Sequence, residues 1–395
     1  MLKKIHPQKY WLKVMCNCLY YLGLGDSWYE KHKPSRLQKY YQIWAITSNF
    51  YIFIILADEL LSNFRDDLTM KEKNDLLQLS IAHPIICTKI VLLYLRRDRI
   101  RVILKRLLED NRAVFPSSIL DNQSVRKAMT YFLVTSAGVY LTMFITTIEG
   151  VMIHIKEGIP IRTEVTFFPS KIDSGVLINI LRFFIQFHWW YIMTVMLLID
   201  GLSIFSLTFT GFKFRRVRLY FESLRGRFLK KSHRKMTAAE YKKFWQDFVV
   251  GIKLHEDALW CARNVQRALG VFYSVQVVES IGLLVICLFK LVTMERSIPM
   301  ILANLAFITA LVIVTGAYML DGADITYEAS LVSTAIFHSG WEHTAPRTGL
   351  RTLLVVAIQR SQVPVYMTAF GIIILSYSNF ITVLRSSYSF FAVMF

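Results

Sequence analysis

Long apolar stretches alternate with charged segments along the whole chain of 395 residues. About 20 apolar residues in a helix, at ~1.5 Å per residue, are enough to cross the hydrocarbon core of a bilayer. Seven stretches reach that length, at 40–61, 76–95, 128–153, 175–212, 268–292, 299–320 and 364–395. The pattern predicts an all-α polytopic membrane protein with seven transmembrane helices.

The polar segments between these stretches predict further helices outside the membrane. Residues 1–39 are basic, amphipathic and rich in Tyr and Trp, which suits a membrane surface and contact with lipid. The fourth stretch ends at Phe212 and runs into the basic segment 213–216 without a helix breaker, so we expect one helix to continue beyond the membrane. Residues 225–267 contain strong helix formers and no proline.

The basic residues are distributed unevenly between alternate loops. The N-terminal segment and the second and fourth loops hold 8, 9 and 15 Lys and Arg residues, whereas the first, third and fifth loops hold 3, 3 and 1. Because cytoplasmic loops carry an excess of Lys and Arg, we expect a cytoplasmic N-terminus and an extracellular C-terminus. The one glycosylation sequon, at Asn122, would then be cytoplasmic, and a glycan there would contradict this orientation.

Composition and motifs argue against an enzyme. Hydrophobic residues make up 54% of the chain and the mean hydropathy is +0.40, so the net charge of +18 is best explained by loop placement rather than by nucleic-acid binding. The five cysteines match neither a zinc site nor a disulfide framework. No zinc-protease, phosphate-binding or nucleophile motif occurs. We expect no enzymatic activity, no cofactor, no metal and no nucleic-acid partner.

The seventh stretch carries a stripe of mostly small polar side chains. Ser378, Thr382, Ser386, Ser389 and Val393 are spaced 4, 4, 3 and 4 residues apart. This spacing places them in one narrow sector of a helix. Such a stripe is typical of a close helix–helix contact. It is also typical of the wall of a water-filled pore that an apolar residue closes, here Val393.

The same region contains Ser-Tyr-Ser-Phe-Phe at 387–391, preceded by Arg-Ser-Gln at 360–362, Pro364, Thr-Ala at 368–369 and Leu-Ser at 375–376. These residues resemble the C-terminal signature of the insect odorant receptor family. The Thr-Tyr and Gln-Phe pattern of the related gustatory receptors is absent. The resemblance implies that the last helix, with its polar stripe and terminal valine, lines a cation-conducting pore.

The resemblance further implies a ligand-tuning subunit of an odorant-gated, non-selective cation channel. Such a subunit assembles with the shared odorant receptor co-receptor into a heterotetramer in the plasma membrane of sensory-neuron dendrites. Residues 1–320 would hold the N-terminal segment, six spans, the ligand cavity and cytoplasmic helical extensions, and 321–395 a cytoplasmic anchor helix and the pore-lining span. A gustatory-type channel and a secondary transporter are the alternatives, although no inverted repeat supports a transporter.

The outer halves of the second, third, fourth and sixth spans supply an aromatic-rich and mostly apolar set of side chains, which suits a pocket for a small volatile odorant. Each of them is also compatible with lipid contact or helix packing, and the resemblance supports the region as a whole. The candidate ligand residues are Ala82, His83, Ile86, Tyr140, Phe144, Thr147, Ile148, Trp190, Tyr191, Thr194, Ile301, Asn304 and Ile308.

Three of the charged residues inside the predicted spans have a specific interpretation. Asp200 is near the inner end of the fourth span, where it either has a functional role or pairs with an arginine of the fourth loop. Lys89 can extend its ammonium group to the inner interface. Arg385 lies beside the polar stripe, where it either faces the pore vestibule or pairs with a neighbouring subunit.

Overall fold

The computed structural model of the chain describes residues 6–25, 37–108, 114–158, 160–161, 164–229, 236–293, 298–344 and 348–394, and most of them are helical. Within these ranges the helices are α1 (Pro7–Tyr21), α2 (Leu37–Leu61), α3 (Met70–Leu95), α4 (Arg97–Leu108), α5 (Ser118–Glu157), α6 (Val176–Leu229), α7 (Ala238–Thr293), α8 (Ile298–Phe337), α9 (Thr348–Gln362) and α10 (Tyr377–Met394). Single 3₁₀ turns occupy Ser62–Phe64 and Trp341–His343, and β1 (Thr368–Ala369) pairs antiparallel with β2 (Ile373–Ile374).

Six helices of the described part of the chain are long and apolar enough to cross a membrane, namely α2, α3, α5, α6, α7 and α8. They contain the first six apolar stretches of the sequence. The seventh apolar helix is α10, whose 18 residues span roughly 27 Å at the usual helical rise. The helices therefore follow the predicted order, with α10 shorter than expected.

The prediction of one helix over 364–395 is wrong, because the β1–β2 hairpin precedes α10, which begins at Tyr377. The turn of the hairpin contains Phe370 with φ 55° and Gly371 with φ 73°. Backbone in this left-handed region cannot continue a right-handed helix, and only glycine adopts it without strain. The hairpin thus separates α9 from α10 and gives each its own direction.

Helix α6 forms the centre of the bundle. Its most apolar segment is 94% buried, against 22–44% for the other five spanning helices. The hydroxyls of Ser203, Ser206, Thr208 and Thr210 donate to backbone carbonyls four residues earlier, so these polar groups are satisfied inside the core. The helix has 54 residues, or roughly 80 Å, which confirms the expected continuation beyond the apolar span.

The extended parts of α6 (213–229) and α7 (238–267) pack on each other, and α9 packs on α8. We call the region formed by these two extensions and α9 the basal layer. Its buried core contains Phe221, Phe244, Phe248, Leu350 and Leu354. The carboxylate of Asp257 joins the layer to α4, because Arg106 and Lys213 both lie 2.6 Å from it. The basal layer therefore has its own ion pairs, while its apolar residues continue the core of the spanning bundle.

The N-terminal helix α1 packs against α5 and α6. Leu12, Met15 and Leu19 are buried in this contact, whereas Tyr21 is 71% exposed on the other side of the helix. Burial also raises the pKa of the Cys16 thiol to about 12, which keeps that thiol protonated and unreactive. The apolar face of α1, which the sequence assigned to a membrane surface, is thus largely buried against α5 and α6.

Candidate functional site

A cavity of about 180 Å³ lies between α3, α5, α6, α7 and α8. At about 30 Å³ per liquid water, its volume corresponds to roughly six waters or one small organic molecule. Its apolar wall consists of Leu79, Ala82, Val139, Met143, Gly150, Ile153, Trp189, Met193, Met196, Leu283, Met300, Ala303, Phe307, Ala310, Leu311 and Val314. Its polar wall consists of Lys71, Asp75, Gln78, Thr142, Thr146, Glu149, Gln276, Glu279, Lys290 and Asn304.

The face that α5 turns to the cavity follows directly from helical spacing. The lining positions recur every three or four residues from Val139 to Ile153. Thr142 and Thr146 each donate a hydrogen bond to a carbonyl four residues earlier, at 3.0 Å. Because the helix backbone already accepts hydrogen bonds from these hydroxyls, this face of α5 offers a ligand mainly apolar surface.

Two ion pairs lie at one end of the cavity. Lys71 in the first turn of α3 lies 2.6 Å from Glu149 near the end of α5. Lys290 near the end of α7 pairs with Asp75 of α3. The side chains of Lys71 and Asp75 are 36% and 29% exposed, so this end reaches the surface. We call it the mouth, and both pairs would have to separate or tilt to widen it.

A buried charge cluster lies at the opposite, deep side of the cavity. The Lys89 ammonium donates to Gln276 at 2.5 Å and to the two Asp200 oxygens at 3.0 and 3.2 Å, with Glu279 at 3.4 Å. Tyr318 donates to Asp200 at 2.7 Å. The expectations that Lys89 extends to the interface and that Asp200 pairs with an arginine are therefore wrong, because both are fully enclosed and satisfy each other.

Two buried carboxylate–histidine pairs lie near the end of the bundle where α2 is followed by the 3₁₀ turn Ser62–Phe64. His83 Nδ1 lies 2.7 Å from Glu59, and His188 Nδ1 lies 3.1 Å from Glu164. The segment before α6 reaches this place because Asp58 accepts the backbone N–H groups of residues 167 and 168, both at 3.1 Å. Among the described residues, no group of three or more His, Cys, Asp or Glu side chains could hold a metal ion.

The polar stripe of α10 faces away from its own bundle. Ser378, Thr382, Ser389 and Val393 are exposed, and Ser386 is half-buried. The opposite side of α10 buries Val383 against α7 and α8, and Phe380 and Leu384 pack there as well. Val393 is 87% exposed. The stripe is thus an uncovered face of a single chain.

The β1–β2 hairpin connects α10 to the helix that carries the deep side of the cavity. Gln266 of α7 donates to the Thr368 carbonyl at 2.7 Å and accepts the Thr368 N–H at 2.9 Å. Ser274 of α7 accepts the Phe370 N–H at 2.6 Å. Gln276 follows only two residues later on α7, so the hairpin is bound to the stretch of α7 that borders the cavity.

A family model of 7tm odorant receptors matches residues 69–388, well over half of the chain. The chain belongs to the 7tm odorant receptor family. Its fold is similar to that of the insect olfactory receptor OR5 from Machilis hrabei, with a TM-score of 0.78, and to that receptor in complex with eugenol, with a TM-score of 0.79. In both comparisons the identity is 10%, and 98% of this chain and 97% of the other are covered. A search of curated proteins found no match.

The comparisons confirm the predicted all-α polytopic fold with seven transmembrane helices. The six long spanning helices together with α10 account for the seven. The family is one of receptors, which agrees with the expectation that the chain is not an enzyme.

The odorant receptor cavity includes two of the predicted ligand residues, Ala82 and Asn304. The Asn304 amide donates to the Cys287 carbonyl at 2.7 Å, which fixes its orientation at the cavity wall. His83 and Ile86 are fully buried on a neighbouring face of α3, outside the wall.

Three of the predicted residues, Tyr140, Trp190 and Thr194, form a second contact between α5 and α6, outside the cavity wall. Tyr140 stacks on Trp190 with ring centroids 6.1 Å apart, and its hydroxyl lies 3.0 Å from that of Thr194. Tyr191 donates to the Leu22 carbonyl at 2.5 Å, which joins α6 to the end of α1.

The remaining predicted ligand residues lie on other faces of α5 and α8. Phe144 and Ile148 are 58% and 42% exposed on the outside of the bundle. The Thr147 hydroxyl donates to the Met143 carbonyl at 2.8 Å. Ile301 and Ile308 are half-buried, and Ile308 packs among apolar residues of α3, α7 and α8.

Several cavity residues lie one position away from a predicted one. Trp189, Thr146 and Phe307 line the wall, next to the predicted Trp190, Thr147 and Ile308. For α5 the sequence does contain a usable signal, because Thr142, Thr146 and Gly150 recur every four residues and small residues mark protein-facing sides of membrane helices. Gln276 and Glu279 of α7 also line the cavity, but they are not among the ligand residues that the sequence predicts.

Proposed function

We propose that this odorant receptor is a subunit of an odorant-gated, non-selective cation channel, and that a small volatile ligand binds in the cavity between α3, α5, α6, α7 and α8. The observation that carries the proposal is a mostly apolar cavity of about 180 Å³ in a chain of this family. The similar receptor OR5 from Machilis hrabei has been solved in complex with eugenol.

The cavity sets the scale of the affinity. A ligand of about ten non-hydrogen atoms that buries roughly 300 Å² gains about 7 kcal/mol at ~25 cal/mol per Å². Loss of translational and rotational freedom reduces this gain, so the dissociation constant is about micromolar or weaker. Selectivity then depends on the shape of the apolar wall and on few hydrogen bonds.

The distribution of Lys and Arg supports a cytoplasmic N-terminus and an extracellular C-terminus. With this orientation the mouth of the cavity, at the start of α3 and the ends of α5 and α7, opens on the outer side. The basal layer then lies in the cytoplasm. We expect the receptor to lie in the plasma membrane of a sensory-neuron dendrite, where an odorant reaches the cavity from outside.

The uncovered face of α10 supports a pore shared between subunits. Its stripe, which consists of Ser378, Thr382, Ser386, Ser389 and Val393, faces away from the chain's own bundle. In a tetramer with the family's co-receptor, four such helices surround a polar path that apolar side chains near Val393 close by excluding water. The basal layer and α9 anchor neighbouring subunits, and Arg385 is exposed beside the stripe.

Gating follows from the link between the cavity and α10. A ligand displaces α7, the hairpin bound to Gln266 and Ser274 follows, and α10 tilts away from the pore axis. The constriction near Val393 then widens and fills with water.

A secondary transporter is the second candidate. The observation in its favour is the cluster of Lys89, Asp200 and Glu279, because buried charges within membrane spans often mark ion pathways. Membership in the odorant receptor family favours the channel.

Whole-cell current in a cell line, with and without the co-receptor and against a panel of volatiles, tests the proposal. Odorant-evoked cation current on co-expression is the expected result. Current from this chain alone would mean that four copies form the pore. Absence of current with surface expression confirmed, together with substrate uptake, would favour the transporter.

A further inference from the structure

Two polar side chains on α7, Gln276 and Glu279, form the deep floor of the mostly apolar cavity. They are three residues apart, so they share one face of the helix. Their exposed fractions are only 3% and 2%. Leu283 and Trp189 line the wall around them. A molecule that fills the cavity therefore meets a buried amide and a buried carboxylate.

The charges around Glu279 do not balance. Lys89 Nζ lies 3.0 Å from Asp200 but 3.4 Å from Glu279, and it also donates to Gln276. Asp200 receives a further hydrogen bond from Tyr318. Within the described ranges, the long contact with Lys89 is the sole hydrogen bond of the Glu279 carboxylate. One ammonium group thus serves two carboxylates, and the less satisfied one lies at the cavity wall.

The other cations near the cavity are already engaged. His83 lies close to Glu279, but its Nδ1 is bonded to Glu59 at 2.7 Å. The two lysines at the mouth belong to the ion pairs with α5 and α3. A buried carboxylate is costly unless it is paired and hydrogen-bonded. The cavity therefore favours a ligand that brings a donor to Glu279.

On the basis of the proposed function, we propose that the ligand is a small apolar molecule with one hydrogen-bond donor, an amine in its ammonium form or a hydroxyl group, that donates to Glu279. Its hydrocarbon part lies against Trp189, Met193 and Leu283. Charge-assisted hydrogen bonds are stronger than neutral ones, so an amine is favoured over an alcohol of equal length. A methyl ether or ketone can only accept, and it leaves the carboxylate without a donor.

A matched series of ligands tests this class on the unmodified receptor. Concentration–response currents are recorded in cells that express the receptor with the co-receptor, using a primary amine, an alcohol, a methyl ketone and a methyl ether of one chain length. We expect half-maximal concentrations for the two donors that are about tenfold or more below those of the ketone and ether. Equal potency across the series would overturn the inference.

The variant Glu279→Gln keeps the size of the side chain and removes its charge. We expect the amine to lose about tenfold in potency while the alcohol changes less than about threefold, since the amide oxygen still accepts a neutral donor. The control Glu222→Gln makes the same chemical change on a half-exposed residue of the basal layer and should alter neither. An equal shift for all four ligands in Glu279→Gln would contradict a donor contact.

The failures of the two proposals are distinguishable. Currents evoked only by ketones, ethers or hydrocarbons would leave the channel function intact and overturn the donor contact. Absence of current to every compound, with the receptor at the cell surface, would contradict the channel function and with it this inference. If Glu279→Gln does not reach the cell surface, the ligand series on the unmodified receptor alone tests the donor contact.

Discussion

Replacing Lys89 with methionine leaves two buried carboxylates, Asp200 and Glu279, without their shared cation. The side chains of all three are at most 3% exposed, so bulk water cannot solvate the two carboxylates as it would at the surface. Removing one partner of a buried ion pair typically costs about 3–5 kcal/mol. Whole domains are stable by only about 5–15 kcal/mol, so we expect most of the Lys89→Met protein to be retained inside the cell.

The assay is the fraction of receptor at the cell surface together with the thermal midpoint of the detergent-solubilised protein. Lys105→Met, on an exposed position of α4, is the control and should behave like the unmodified receptor. Adding Asp200→Asn and Glu279→Gln to Lys89→Met removes all three charges and should restore much of the surface expression. Normal expression and melting of Lys89→Met alone would refute the cluster as a stabilising element.

Three further predictions concern the hairpin and the pore. In Gly322→Ala the new Cβ would lie 2.3 Å from the Leu375 Cβ, so the segment before α10 must shift at a cost of about 1–3 kcal/mol. We therefore expect the maximal odorant current of Gly322→Ala to fall. The control is Gly226→Ala, whose new Cβ has no atom within 4 Å and which should respond normally. Gln266→Leu removes all three hydrogen bonds of Gln266 to Thr368 in β1, and we expect ligand binding to persist with reduced maximal current; unchanged current would place the coupling elsewhere. Val393→Asp should raise resting leak without odorant, and an unchanged leak and response would mean that the gate lies elsewhere.

The helices could be predicted because apolar length alone identifies a membrane span. The uninterrupted sequence after Phe212 also showed that α6 continues beyond the bundle. The hairpin could not be predicted, since residues 364–376 are apolar and their composition fits a helix as well as a strand. Gly371 is compatible with a turn, but the turn also needs the positive φ of Phe370, a residue whose type gives no sign of that conformation.

The cavity was harder to predict than the fold, because helices surrounded on several sides have apolar residues on every face. One residue changes the direction of a side chain by about 100°, so Trp190 stacks on Tyr140 while Trp189 lines the cavity. The partnership of Lys89 with Asp200 joins positions 111 residues apart. Hydrophobic patterning contains no information on such long-range pairs.

The most direct test of the central claim compares Met143→Trp with Phe144→Trp. The two positions are adjacent on α5, but Met143 lines the cavity and Phe144 is 58% exposed outside the bundle. With equal surface expression, we expect Met143→Trp to raise the half-maximal odorant concentration at least about tenfold, because the indole occupies the ligand's space, while Phe144→Trp responds normally. Unchanged sensitivity in Met143→Trp, or equal losses in both variants, would contradict odorant binding in this cavity.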